Sequence, residues 1–279
     1  MPSPTDFNLS PYYDDFDEAK KFHRILFRPA FAVQARELTQ SQSILQNQVE
    51  KVSDHLFEKG AMVIPGEIGY DLNYFAVKLT SFSGTLSNYD GSVLTGGTSG
   101  VQAIVVNTTA TDGSDPDTLF VKYIKTGTNN TSVVFTDGET ITGVGADSSA
   151  VSAVVDTTAT GSAAEVQAGT YYINGFQVQV DNQTLILDKY TNTPSYRVGL
   201  TVTESFVTPS DDSTLNDNAA GSSNVNAPGA HRFKIQLTLA KLSLTSTSDN
   251  NFVELLRLSS GLIQNQVRTT EYSVLEDTL

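Results

Sequence analysis

Hydrophobic and polar positions along the chain fall into two regimes. From Gln34 to Lys59 there is no Gly and no Pro, and apolar residues keep a seven-residue beat. Phe31, Leu38, Leu45 and Val52 share one heptad position, and Ala35, Gln42, Val49 and Leu56 share its partner. The flanks are mostly Gln, Ser, Thr and Asn, so the apolar stripe is narrow and suits a neighbouring helix better than a broad core. The pattern predicts a heptad helix over 31–60, ended by Gly60; its uninterrupted stretch from Gln34 to Lys59 would run roughly 39 Å at about 1.5 Å per residue. These eight residues are the expected oligomer interface, most simply of a homotrimer. Gln42 is placed to fix register and oligomer number, as a polar seam residue can. The alternative is a helix packed on its own domain with Gln42 in water. His55 falls off the seam and reads as a surface residue.

Elsewhere the period is two. Residues 1–20 read as an irregular acidic arm, interrupted by Pro2, Pro4 and Pro11, and one short strand at His23–Phe27, closed by Pro29, completes a docking segment of 1–30. Tyr12, Tyr13 and Phe16 offer apolar anchors among its acids, so the arm is either solvated or docked on a partner. Strands are expected at Met62–Ile64, Tyr74–Phe82, Leu185–Leu187, Arg197–Phe206 and Phe233–Leu244. Hairpins are expected at Tyr171–Val180, across Asn174-Gly175, and at Phe252–Val267, across Ser259-Ser260-Gly261.

An internal duplication also stands out. Val105-Val106-Asn107-Thr108-Thr109-Ala110-Thr111 recurs as Val154-Val155-Asp156-Thr157-Thr158-Ala159-Thr160, with Thr95-Gly96 and Thr142-Gly143 ahead of the copies. Two copies are too few for a solenoid, so 84–165 reads as a β module inserted into a main β domain formed by 61–83 and 166–269. The polar stretch from Pro209 to Gly229 is a long loop of the kind that carries function or lies against a partner. Together with the arm it supplies the expected docking residues: Tyr12, Tyr13, Phe16, Asp211, Asp212, Asp217, His231 and Arg232. Residues 270–279 read as the start of a helix without a stop signal, so the polypeptide is expected to continue past Leu279. The fold class is mainly β with one long N-terminal helix (α+β), as β-sandwich or barrel-like modules following a coiled-coil-type helix.

Composition narrows the chemistry. The 279 residues carry 17 basic and 31 acidic side chains, a net −14, which argues against a nucleic-acid footprint. There is no Cys and only three His (His23, His55 and His231), which removes disulfides and makes structural zinc a poor reading. No window has the ~20 apolar residues of a membrane span, and the first residues lack a signal-peptide pattern. Synthesis in the cytoplasm, with release by lysis if the protein leaves the cell, is therefore expected.

No catalytic constellation emerges, and neither an enzyme nor a bound cofactor is expected. Asp211-Asp212 are adjacent and point apart, unlike a glycosidase pair. Asp112, Asp115 and Asp117 could hold a weak cation, though turn chemistry is the simpler account. Gly96-Gly97-Thr98-Ser99-Gly100 lacks the Lys and the helix of a P-loop. Tyr89 and Tyr123 are thin support for a surface that reads glycans.

Several ungapped stretches are familiar: Tyr12-Tyr13-Asp14-Asp15-Phe16, Phe27-Arg28-Pro29, Ala32 to Leu38, Ile44 to Gln48, Tyr172 to Phe176, Pro194 to Leu200 and Ala227 to Arg232. Through them the chain resembles a family of virion structural proteins of T4-like tailed phages, especially cyanophages. They span most of the chain outside the duplicated module, and Ala30 stands where the family is expected to have Gly. The resemblance implies a baseplate-proximal tail or fibre-attachment component, made in the host cytoplasm and carried in the virion. It implies other baseplate or fibre proteins as partners and transfers no catalytic residue. The alternative is a receptor-binding module for host surface glycans, with 84–165 as the reader.

Overall fold

The computed structural model describes residues 5–64, 66–128, 131–246, 250–268 and 270–272. An irregular arm leads to helix α1 (Ala35–Leu56), and among the described residues fourteen strands follow. These are β1 (Met62–Ile64), β2 (Ile68–Phe82), β3 (Val93–Gly96), β4 (Gln102–Thr109), β5 (Thr118–Lys125), β6 (Thr140–Val144), β7 (Ala150–Val166), β8 (Gly169–Ile173), β9 (Phe176–Val180), β10 (Gln183–Asp188), β11 (Tyr196–Val207), β12 (Arg232–Ser243), β13 (Phe252–Ser259) and β14 (Leu262–Gln266). The molecule is mainly β with one long helix ahead of its sheets, the expected class.

The helix is shorter than its heptad pattern. The Glu37 carboxylate accepts the Gln34 N–H at 2.9 Å, which starts α1 after Gln34 and leaves Phe31 outside it. Phe57 is already extended, four residues beyond Ser53, so the helix stops before Gly60 is reached. Ala30 has φ +68°, a left-handed conformation that favours Gly, which explains why a glycine was expected there. His23–Phe27 is not a strand. It runs exposed, and among the described residues no backbone hydrogen bond pairs it with a sheet. Alternation gave it strand character, but a strand needs a partner.

The strands of 84–165 close into a barrel together with β2. In the seven-stranded sheet β10-β7-β2-β5-β4-β3-β6, the N-terminal part of β7 also pairs with β6, so all of these strands except β10 form a ring. Its interior holds Val77, Leu79, Leu94, Val105, Leu119, Val121, Ile141 and Val155. The duplication is visible as two hairpins, β3–β4 and β6–β7, whose first strands pair with each other through Thr95 and Thr142. Val101, Ala103 and Val105 point inward as do Val151, Ala153 and Val155. The structural equivalent of Val105 is therefore Val155, not Val154. Val106 is the extra residue of a β-bulge against β5, and that single insertion shifts the sequence match by one.

The barrel is not a simple insertion at 84–165. β2 and β7 run out of it into the body, where Ile68, Ala164 and Val166 join the second core. That core lies between the sheets β1-β8-β9 and β12-β11-β13-β14 and holds Met62, Tyr171, Ile173, Leu200, Leu239 and Leu256. Tyr74, stacked on Phe120 at 5.2 Å, begins a smaller cluster with Ala76 and Ala163 at the junction. The Gln183 amide ties β10 to β12, donating to Leu237 O at 3.0 Å and accepting from Leu239 N–H at 2.8 Å. Thr270 to Tyr272 are not helical, Tyr272 bridging to Phe57 instead. The rest of the expected terminal helix, 273–279, lies outside the described residues.

Candidate functional site

Helix α1 is mounted with its apolar face outward. Leu38, Leu45, Val49 and Val52 are all exposed, Leu45 by 67% and Val52 by 63%, whereas Ile44 on the opposite side is 4% exposed. Ala35 and Gln42 are exposed with them, and Leu56 is half-buried at the helix end. Phe31, expected to open the seam, is exposed on the irregular segment before the helix, under the guanidinium of Arg28 at 4.4 Å.

Polar groups hold the other side to the body. The Gln46 amide donates to Gly175 O at 2.5 Å, and the Tyr172 hydroxyl donates to Asp54 at 2.5 Å, with Glu50 O 3.3 Å away. Gly175, with φ +87° in the β8–β9 turn, lets that turn seat beneath the Glu50 side chain, which a Cβ there would meet at 3.1 Å. Burial, and then the neighbouring Asp54, raise the Glu50 carboxyl above its ordinary value. From the arm, Asp14 accepts from Ser43, Asp15 accepts from Gln40 at 3.1 Å, and Glu18 pairs with Lys51. The usual surface helix buries its apolar stripe; this one turns that stripe outward and seats on the body through Ile44, Ser53 and polar groups.

The centre of the exposed face also lacks fixed charge. Leu38, Gln42, Leu45, Val49 and Val52 include no carboxylate, Lys or Arg; Glu37, in line with Ser41 and His55, borders them with its carboxylate bonded to the Gln34 N–H, and Arg36, Glu50, Lys51 and Asp54 lie elsewhere around the helix. Copies of a chain with net charge −14 can meet there without like charges opposed.

The expected docking residues divide. Tyr12 is engaged within the chain: its ring lies 4.9 Å from Phe206, and its hydroxyl is 2.8 Å from His231 Nδ1. Phe7, which the sequence reading passed over, reinforces this dock at 5.0 Å from Phe233. Phe16 is half-buried, and Tyr13 is exposed at φ +48°. The Arg232 guanidinium donates to Ala230 O at 2.8 Å.

The loop between β11 and β12 is internally organised. Asp211 accepts from the Thr208 hydroxyl at 2.7 Å and the Thr208 amide at 3.0 Å. Asp212 accepts from the Thr214 hydroxyl at 2.7 Å and amide at 2.9 Å, opening a 3₁₀ turn. These bonds hold both carboxyls below the ordinary value. Asp217 N–H donates to Ala227 O at 2.9 Å, closing the loop tip. An open cleft of about 520 Å³ lies between Thr208, Asn216, Asn226, Pro228 and His231.

Other candidates are filled from within. Lys189 Nζ lies 2.6 Å from Asp112 and 3.0 Å from Asp115, occupying the place of a cation. Its hydrogen bond, with backbone amides of Asp115 and Ser114, brings the Asp112 carboxyl down to about 2. Asp117 accepts from Thr111 N–H. Among the described residues no cluster of three or more His, Cys, Asp or Glu is placed to hold a metal. Tyr89 is fully buried in the barrel with its hydroxyl on Ser152 O at 2.7 Å, and Tyr123 packs against the same core, so neither forms an exposed glycan platform.

Among the described residues no helix is long and apolar enough to cross a membrane. The chain matches no curated protein and no solved structure. A family model described as Domain of unknown function (DUF4815) matches residues 10–119 and 108–279, and with nearly its whole length covered the chain belongs to that family.

Proposed function

We propose that this chain is a structural protein of a phage tail, an oligomeric connector between baseplate and fibre, held to copies of itself through α1. The observation that carries the self-assembly is the outward, uncharged apolar face of a helix whose polar side is anchored to its own body. Leu38, Leu45, Val49 and Val52 are each worth roughly 1.5–3 kcal/mol on full burial, about 6–12 kcal/mol per chain. That is comparable with an association cost on the order of 4–15 kcal/mol. The face can therefore drive assembly once its neighbours add to it. Gln42, beside Leu45 and Val49 on that face, is suited to select a single register in a trimer.

The particle assignment rests on the resemblance of the quoted stretches to tail proteins of T4-like phages. Two of those stretches, Ala32 to Leu38 and Ile44 to Gln48, lie along α1 and the segment entering it. Cryo-electron microscopy of the intact tail of a phage encoding this chain tests the assignment. The expected map has three α1 helices together on the tail axis near the baseplate. A tail lacking the protein, or carrying it as isolated copies, overturns the reading.

A further inference from the structure

We propose that residues 20–36 form a basic strap that crosses onto the acidic surface of a second copy of this chain. The proposal rests on the self-assembly reading and adds a second contact to it. Lys20, Lys21, Arg24, Arg28 and Arg36 fall within these residues, and no acid occurs between Glu18 and Glu37. Removing those five cations from the totals of 17 basic and 31 acidic residues leaves 12 and 31, a net −19 on the rest of the chain.

The strap is also apolar. Phe22, Leu26, Phe27, Phe31 and Val33 are all more than half exposed. Among the described residues, no backbone hydrogen bond involves 22–27 and no ion pair engages Arg24 or Arg28. Between Lys20 and Arg36, which both pair with Asp15, the segment keeps unbonded amides over 22–27, large apolar side chains and, in Arg24 and Arg28, cations without an ion-pair partner among the described residues, the chemistry of a strand or arm that docks on another surface. It leads directly into α1, whose outward face is the proposed contact between copies, so a strap leaving one subunit there starts beside its neighbour. A copy of the chain supplies the complementary charge. A polyanion such as nucleic acid would instead meet the repulsion of a body at −19, felt over about 10 Å at 0.1 M salt.

The test compares the full chain with an Arg24→Glu/Arg28→Glu variant by sedimentation at low and high salt. Arg36 is kept because it pairs with Asp15 at 3.5 Å. The expected result is self-association at least about tenfold weaker in the variant at low salt, with the wild-type salt dependence largely lost. In parallel, Phe27 is replaced by p-benzoylphenylalanine and irradiated in a mixture of light and isotope-labelled protein. Mixed-isotope crosslinks to peptides containing Asp or Glu support the strap. An oligomer that forms normally with both Arg residues reversed, or crosslinks confined to single chains, overturns the strap and leaves the helix contact standing. Crosslinking instead to an added single-stranded oligonucleotide or to anionic vesicles also overturns it. A wild-type chain that stays monomeric overturns the self-assembly reading itself.

Discussion

Glu139 sits beneath the loop Gly96–Gly100, and four donors converge on its carboxylate. They are the amides of Thr98 and Ser99, both at 2.9 Å, the Ser99 hydroxyl at 2.8 Å and the Thr136 amide at 2.7 Å. The glycine-rich sequence does build an anion cradle, but the anion is a side chain of the same barrel. Burial alone would raise the Glu139 pKa, and the bonds from Ser99, Thr136 and Thr98 outweigh it and hold the carboxyl below its ordinary 4.5. With the folded pKa below the unfolded one, this stabilisation is present above the unfolded value and is lost as pH falls through the folded value. Glu139→Gln, with one acceptor oxygen in place of two, should cost roughly 1–3 kcal/mol at neutral pH. It should also flatten the stability loss below about pH 4.5. Urea melts of both proteins between neutral and acid pH measure this. An unchanged acid limb would show that the cradle is energetically idle.

Among the elements, β11 carries the tightest constraint. At Gly199 its register against β13 shifts, and an added Cβ would lie 1.9 Å from Val253 O. Gly199→Ala must therefore move one strand, and overpacking of this kind costs about 1–3 kcal/mol. A thermal melt should drop by several degrees, and no change in melting would mean that the strands are not packed this closely. The stretch from Pro194 to Leu200 serves packing, with Arg197 paired to Glu254 and bonded to Ser246 O at 2.7 Å. Elements whose signal is local were readable from the chain. Asn174-Gly175 makes the β8–β9 turn with both residues at positive φ, and the alternation at 233–244 becomes β12. What depended on distant partners was not readable. His23–Phe27 alternates yet pairs with nothing described, and barrel closure needs β6 to meet β7. The heptad marked an apolar stripe on α1 but could not show that the stripe points away from the body. That direction is set by Tyr172 and Gly175, more than a hundred residues further on.

At the scale of the molecule, barrel and body share β2 and β7, so where the chain is cut decides whether the body survives. Deleting 84–165 removes Ser162 to Glu165, four of the five β7 residues that pair with β10, and with them Ala164 of the body core. That protein should aggregate. Deleting 77–157, with a short turn joining Ala76 to Thr158, keeps the lower halves of β2 and β7 paired, and the shortened protein should stay folded with its helix signal in circular dichroism. The opposite outcome for the two deletions would contradict this division of the cores. Assembly through α1 is read from the mass of the full chain in solution. Light scattering at micromolar concentration should give about three times 30.0 kDa. The Leu45→Asp/Val49→Asp variant should give a folded monomer, because buried like charges cannot be accommodated at the seam. A wild-type chain that remains at 30.0 kDa across this range, or a variant that assembles as well as wild type, would contradict assembly through the outward face of the helix.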